Sequence, residues 1–120
     1  MPDRVLFISW GTTVRGREER GLEVFSRSLD LYGRMQRDGR IERVDVVLFE
    51  PNGGPAGYIE LHGSAEQLAA VRSDEEFERT LIDASLIVDD LRLVEGVTEA
   101  ALARQISLFQ EAVARVPQMA

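Results

Sequence analysis

A chain of 120 residues with a formal net charge of −7 has the length of one domain, large enough to bury about two thirds of its unfolded surface without a covalent staple. It contains no cysteine, and all 14 of its basic residues are Arg, which excludes disulfides, thiolate nucleophiles, cysteine-ligated metals, Schiff-base lysines and a lysine-based phosphate loop. The charge runs from net +2 over residues 1–43 to net −9 over residues 44–120, which argues against nucleic acid as a partner, because such binding rests on neutralising phosphates.

The N-terminus lacks the basic segment and apolar stretch of a signal peptide, and no apolar run approaches the ~20 residues of a membrane span. The expectation is a cytoplasmic single domain, 1–120, that does not engage a membrane. Residues 4–10, Arg-Val-Leu-Phe-Ile-Ser-Trp, are rich in strand formers and end at Gly11, as a central strand does. The loop Gly11-Thr-Thr-Val-Arg-Gly16 copies the glycine spacing of a P-loop, but Arg17 and Glu18 stand where Lys and Ser/Thr would contact phosphate and magnesium. A weaker version remains, an anion held at a helix N-terminus by free N–H groups with Arg15 and Arg17, and Arg20 nearby. The alternative is a loop with solvated arginines.

A helix is expected over roughly 17–38, where Leu22, Phe25, Leu29, Tyr32 and Met35 recur at spacings of three and four and Gly39 follows as a C-terminal cap. Glu23 with Arg27, and Asp30 with Arg34, are spaced as solvent-side ion pairs on that helix. Residues 41–62 then form two strand-like runs around Pro51-Asn-Gly-Gly-Pro55, a hairpin with a long loop. In the second run Tyr58, Glu60 and His62 share one parity and Ile59 and Leu61 the other, so the polar three face away from the core. The first run is apolar on both faces, Val44, Val46 and Leu48 against Val47 and Phe49, and such a strand needs cover on each side. Ser64-Ala-Glu-Gln67 and Ser73-Asp-Glu-Glu76 have the capping-box form and predict helices over 65–72 and 74–87. A fourth strand follows at 91–97, beginning as early as Asp89. Thr98 is placed to cap a last helix, 99–115, with Leu102, Ile106, Phe109, Val113 and Val116 on one stripe that packs against the sheet edge or a dimer mate.

The order β-α-β-β-α-β followed by a helix gives an α+β, ferredoxin-like fold: a four-stranded antiparallel sheet in the order 4-1-3-2 with helices on one face. The uncovered face carries large apolar groups, and self-association is the economical way to bury them. At this level the chain resembles the dimeric α+β barrel superfamily, in which two ferredoxin-like subunits press their open sheet faces together. The stretch from Tyr32 to Glu42, with residues 48–54, also resembles a group of small bacterial proteins of no assigned activity. The superfamily includes cofactor-free monooxygenases, lactone isomerases, haem enzymes and amino-acid-sensing domains, and fold alone does not choose among them.

The candidate site is Tyr58, Glu60 and His62, joined by Trp10 or Ser9 from the first strand and by Arg92 from the fourth. A carboxylate and an imidazole on one face suit proton transfer, with Glu60 and His62 as candidate catalytic groups and Trp10, Tyr58 and Arg92 as candidate contacts to a small polar or aromatic ligand. The alternative is a polar seam between subunits whose groups satisfy one another. His62 is the one histidine of the chain, too few for a metal site without a spaced carboxylate motif, so no metal and no cofactor are expected. The functional expectation is a homodimeric binding or accessory module with an inter-subunit cavity. A cofactor-independent monooxygenase or isomerase, and a purely structural dimerisation domain, are the rivals.

Overall fold

Strand β1 (Arg4–Trp10) lies at the centre of a four-stranded antiparallel sheet, paired on one side with β3 (Gly57–Gly63) and on the other with β4 (Arg92–Val97). Strand β2 (Arg43–Leu48) pairs with the outer edge of β3, so the spatial order is β2-β3-β1-β4. The fold is the expected ferredoxin-like one. It is seen in a computed structural model that describes residues 2–117 and 119.

Register sets the two faces of the sheet. Leu6 lies opposite Leu61 and Ile8 opposite Ile59, and all four are buried against α1 (Glu18–Arg37), α2 (Ala65–Arg72) and α3 (Glu75–Ser85). Side chains alternate along each strand, so Val5, Phe7, Tyr58, Glu60, His62, Val47 and Val94 face the other way, where none of these three helices packs. The core is the layer between helices and sheet, with Tyr32, Met35, Leu68, Val71 and Phe77 filling it from the helical side.

Local signals explain most element ends. Ser64 accepts from Gln67 N–H at 3.1 Å while the Gln67 side chain accepts from Ser64 N–H at 2.8 Å, the full capping box. Gly39 takes φ of 75° just after α1, where a side chain would be strained. The second box is shifted by one residue: Asp74, not Ser73, caps α3 by accepting from Phe77 N–H at 3.0 Å, because Ser73 instead bonds back to the Ala69 carbonyl. Thr98 precedes α4 (Glu99–Ala114) without a side-chain cap.

Two expectations on the helices are corrected. Leu22 is 70% exposed at the rim of α1, while Val24 and Ser28 turn inward in its place. Arg27 and Arg34 do not pair along α1; they reach across to Asp83 and Glu76 of α3, the latter at 2.6 Å, because the two helices lie side by side. Of the two places expected for the α4 stripe, the sheet edge and a dimer mate, the first is not taken within the subunit. Ala101 is the one buried residue of α4 among those described, and Leu102, Ile106, Phe109, Val113 and Val116 are 40–69% exposed. The helix leaves β4 at Glu99, whose φ of 50° lies in the left-handed region that non-glycine residues rarely adopt.

Candidate functional site

The hairpin brings the polar parity of β3 against β2. Its loop is held by Asn52, whose side-chain amide donates to the carbonyls of Glu50 and Pro55 and whose oxygen accepts from Gly54 N–H. That pins the register in which Arg43 lies opposite His62, Asp45 opposite Glu60 and Val47 opposite Tyr58. His62 Nε2 is 3.1 Å from Asp45 Oδ2, 3.4 Å from Glu60 Oε1 and 3.3 Å from Arg43 Nη2, and Arg43 Nε donates to Asp45 Oδ2 at 3.1 Å. Beside this polar cluster runs an aromatic row: Tyr58 stands 5.3 Å from Phe7 and 5.9 Å from Phe49, ring centre to ring centre.

Of the residues nominated from the sequence, Glu60, His62 and Tyr58 share the open face, and Ser9, opposite Tyr58, joins them. Arg92 is on that face too, exposed and one strand beyond Ser9, on the far side of β1 from the cluster. Trp10 does not belong to the group. It lies opposite Gly57 on the helix-covered face and packs 5.8 Å from Phe25. Its run, residues 5–10, is apolar on both parities, so alternation could not assign its face. Arg15 and Arg17, expected to hold an anion, lie exposed just before α1. Gly16 N–H donates to Glu18 Oε1 at 2.9 Å, and the Arg17 guanidinium donates to the Leu86 carbonyl. Arg20 bridges Glu23 and Asp83, and Arg15 is exposed. The groups meant for an anion are therefore largely occupied within the chain.

A second feature was not foreseen. Between α1, α3 and the sheet lies a mostly apolar pocket of about 380 Å³, within the range of small-molecule sites. Its lining includes Trp10, Phe25, Leu81, Ile87 and Leu91. Gly21, Ser28, Thr80 and Ala84, all small, are among the residues of α1 and α3 that line it. Small residues at inward helical positions are the signal that reveals it. Tyr32 also lines the pocket, and burial alone pushes its phenol well above the usual range. The hydroxyl therefore stays protonated and is a hydrogen-bond donor. Ser28 and Thr80 spend their hydroxyl protons on the carbonyls of Val24 and Glu76.

No protein-family model and no curated protein match the chain. Solved structures do. A dimeric protein of unknown function and ferredoxin-like fold from Bacteroides fragilis superposes with a TM-score of 0.59 at 11% identity, over 78% of this chain and 95% of that one. SnoaB, a cofactor-independent oxygenase from Streptomyces nogalater, gives 0.54 at 14% identity, over 82% and 93%. A putative antibiotic biosynthesis monooxygenase from Chloroflexus aurantiacus gives 0.53 at 13%, over 81% and 94%. The chain has a ferredoxin-like fold. At these identities the likeness concerns the fold and does not carry over an activity. Among the described residues, no helix is long and apolar enough to cross a membrane.

Proposed function

We propose that this protein is a cytoplasmic homodimer that binds a small aromatic or apolar molecule bearing a hydrogen-bond acceptor. The ligand would sit in the pocket between helices and sheet of each subunit rather than between subunits. The observation that carries this reading is the 380 Å³ pocket with the Tyr32 phenol in its wall. An apolar enclosure supplies affinity, and one donor in it orients a carbonyl or ether. Homodimer formation is supported by the aromatic row on the open face and by the exposed stripe of α4.

The oxygenase reading draws support from the fold shared with SnoaB and the Chloroflexus protein. An oxygenase without cofactor needs a base to raise electron density on its substrate before oxygen is reduced. In the pocket the titratable groups are Tyr32, kept protonated, and Glu18, which already accepts from Gly16 N–H. Glu60 and His62 lie on the opposite side of the sheet. Binding without turnover is therefore the better-supported reading.

Trp10 is the single tryptophan and forms part of the pocket wall, so its emission reports occupancy. Titration with 2-acetylnaphthalene should quench it saturably, and Ala84→Phe, which fills the pocket, should abolish the effect. Emission that stays unchanged, or that is quenched equally in the Ala84→Phe protein, rules the pocket out as the binding site.

A further inference from the structure

Asp45 and Glu60 are register partners on β2 and β3. Two carboxylates directly opposite each other on one sheet face repel, so the pairing is unfavourable unless a cation stands between them. His62, two residues further along β3, completes a set of three in which one donor atom from each side chain lies within 4.8 Å of the others. We propose that Asp45, Glu60 and His62 form a binding site for a first-row divalent cation, with Zn²⁺ the best fit.

The distances suit it. Nitrogen and oxygen ligands each bound about 2.0–2.1 Å from a tetrahedral zinc ion sit about 3.3 Å from one another. Here His62 Nε2 lies 3.1 Å from Asp45 Oδ2 and 3.4 Å from Glu60 Oε1. The donor set, two carboxylates and a neutral imidazole, matches a divalent ion in charge and in ligand kind. All three side chains project from hydrogen-bonded strands, the rigid setting that a coordination geometry requires. Their side chains are 42, 30 and 13% exposed, partly shielded yet reachable from solvent. Three protein ligands leave a fourth position for water or another donor.

Arg43 holds the cation's place when no metal is bound. Its guanidinium contacts both His62 and Asp45, but the side chain is 62% exposed on an edge strand and has room to swing outward. Ion and guanidinium then compete for the same carboxylate. That competition gives the site a signature that a scattered surface association would lack. The expectation of no metal rested on the absence of a local His/carboxylate motif; the third ligand comes from a strand 15 residues away and appears only through the hairpin register.

The test is titration of the full chain with Co²⁺, followed by the visible absorption of a four-coordinate ion, and with Zn²⁺ by calorimetry. One equivalent per chain is expected. Asp45→Asn and His62→Asn should each weaken binding by more than about 100-fold, since even residues outside the coordination shell are worth 10–100-fold. Arg43→Ala should tighten binding several-fold, a gain that no misfolded variant would produce. The proposal is overturned by the absence of saturable binding, by binding that survives His62→Asn in protein with native circular dichroism, or by weaker binding in Arg43→Ala.

Discussion

Trp10 and Gly57 face each other across the β1–β3 ladder, and there is room for no side chain at 57. A Cβ built there would fall 2.5 Å from the Val47 carbonyl oxygen and 3.1 Å from the indole Cζ2 of Trp10. The glycine lets β2 and β3 close up beneath the indole, which fixes where the pocket wall stands. Because the nearest atom belongs to the backbone of a neighbouring strand, it cannot rotate aside.

Gly57→Ala should therefore lower the unfolding free energy by about 1–3 kcal/mol, the cost of overpacking a tight site. Urea denaturation checks it. A midpoint equal to the wild-type value would mean that β2 slides away freely and that the register at 57 is not constrained.

Asp74 links the cap of α3 to the loop after α1. Burial, its largest single influence, raises its pKa, but the Phe77 N–H, the Arg40 guanidinium 2.9 Å away and the Glu76 N–H together outweigh it and hold the carboxyl below its usual value. A carboxylate whose folded pKa is depressed adds stability above the unfolded pKa and loses it as pH falls through the folded one. Asp74→Ala should thus cost about 1–2 kcal/mol at pH 7, the range for a lost N-cap. The gap to wild type should narrow as pH falls below about 4, the unfolded carboxylate value. A gap that stays constant down to pH 2 would show that the charge contributes nothing.

Alternation was a sufficient guide on β3, where Ile59 and Leu61 are buried and Tyr58, Glu60 and His62 face away. It is insufficient on β1, whose two parities are both apolar, so it does not place Trp10 on the helix-covered face. Asp45 joins His62 only through pairing across the 49–56 loop, and Arg27 and Arg34 choose partners on α3 that lie more than 40 positions away in sequence. Such contacts depend on how elements pack, which periodicity within one element does not encode. The pocket was hidden differently: periodicity identifies what fills a layer, whereas a cavity is made by small residues such as Gly21 and Ala84 that leave it unfilled.

Tyr32→Phe separates the donor from the packing. The ring remains to pack 6.2 Å from Phe77, so stability should change little. Loss of one hydrogen bond of about 1 kcal/mol should weaken binding of 2-acetylnaphthalene roughly fivefold. Binding of 2-ethylnaphthalene, which has no acceptor, should be unchanged. Equal losses for both probes, measured by Trp10 quenching, would assign Tyr32 a packing role alone.

A single subunit is more extended than its length requires. A compact chain of this length has a radius of gyration of about 14 Å, whereas this one has 17.2 Å and spans 54 Å in its longest dimension. The excess arises where α4 stands off the sheet with Ile106 and Phe109 about half or more exposed. Each such side chain gains ~1.5–3 kcal/mol on full burial, so a second copy that covers the stripe and the open sheet face would offset the entropy of association. The wild-type protein should sediment as a dimer at micromolar concentration. Replacing both Ile106 and Phe109 with Glu should shift it to monomer, and Val94→Glu, on the open face of β4, should weaken the dimer independently. A wild-type chain that sediments as a monomer, or a dimer indifferent to both sets of substitutions, would mean that α4 and the open face do not form the self-association surface.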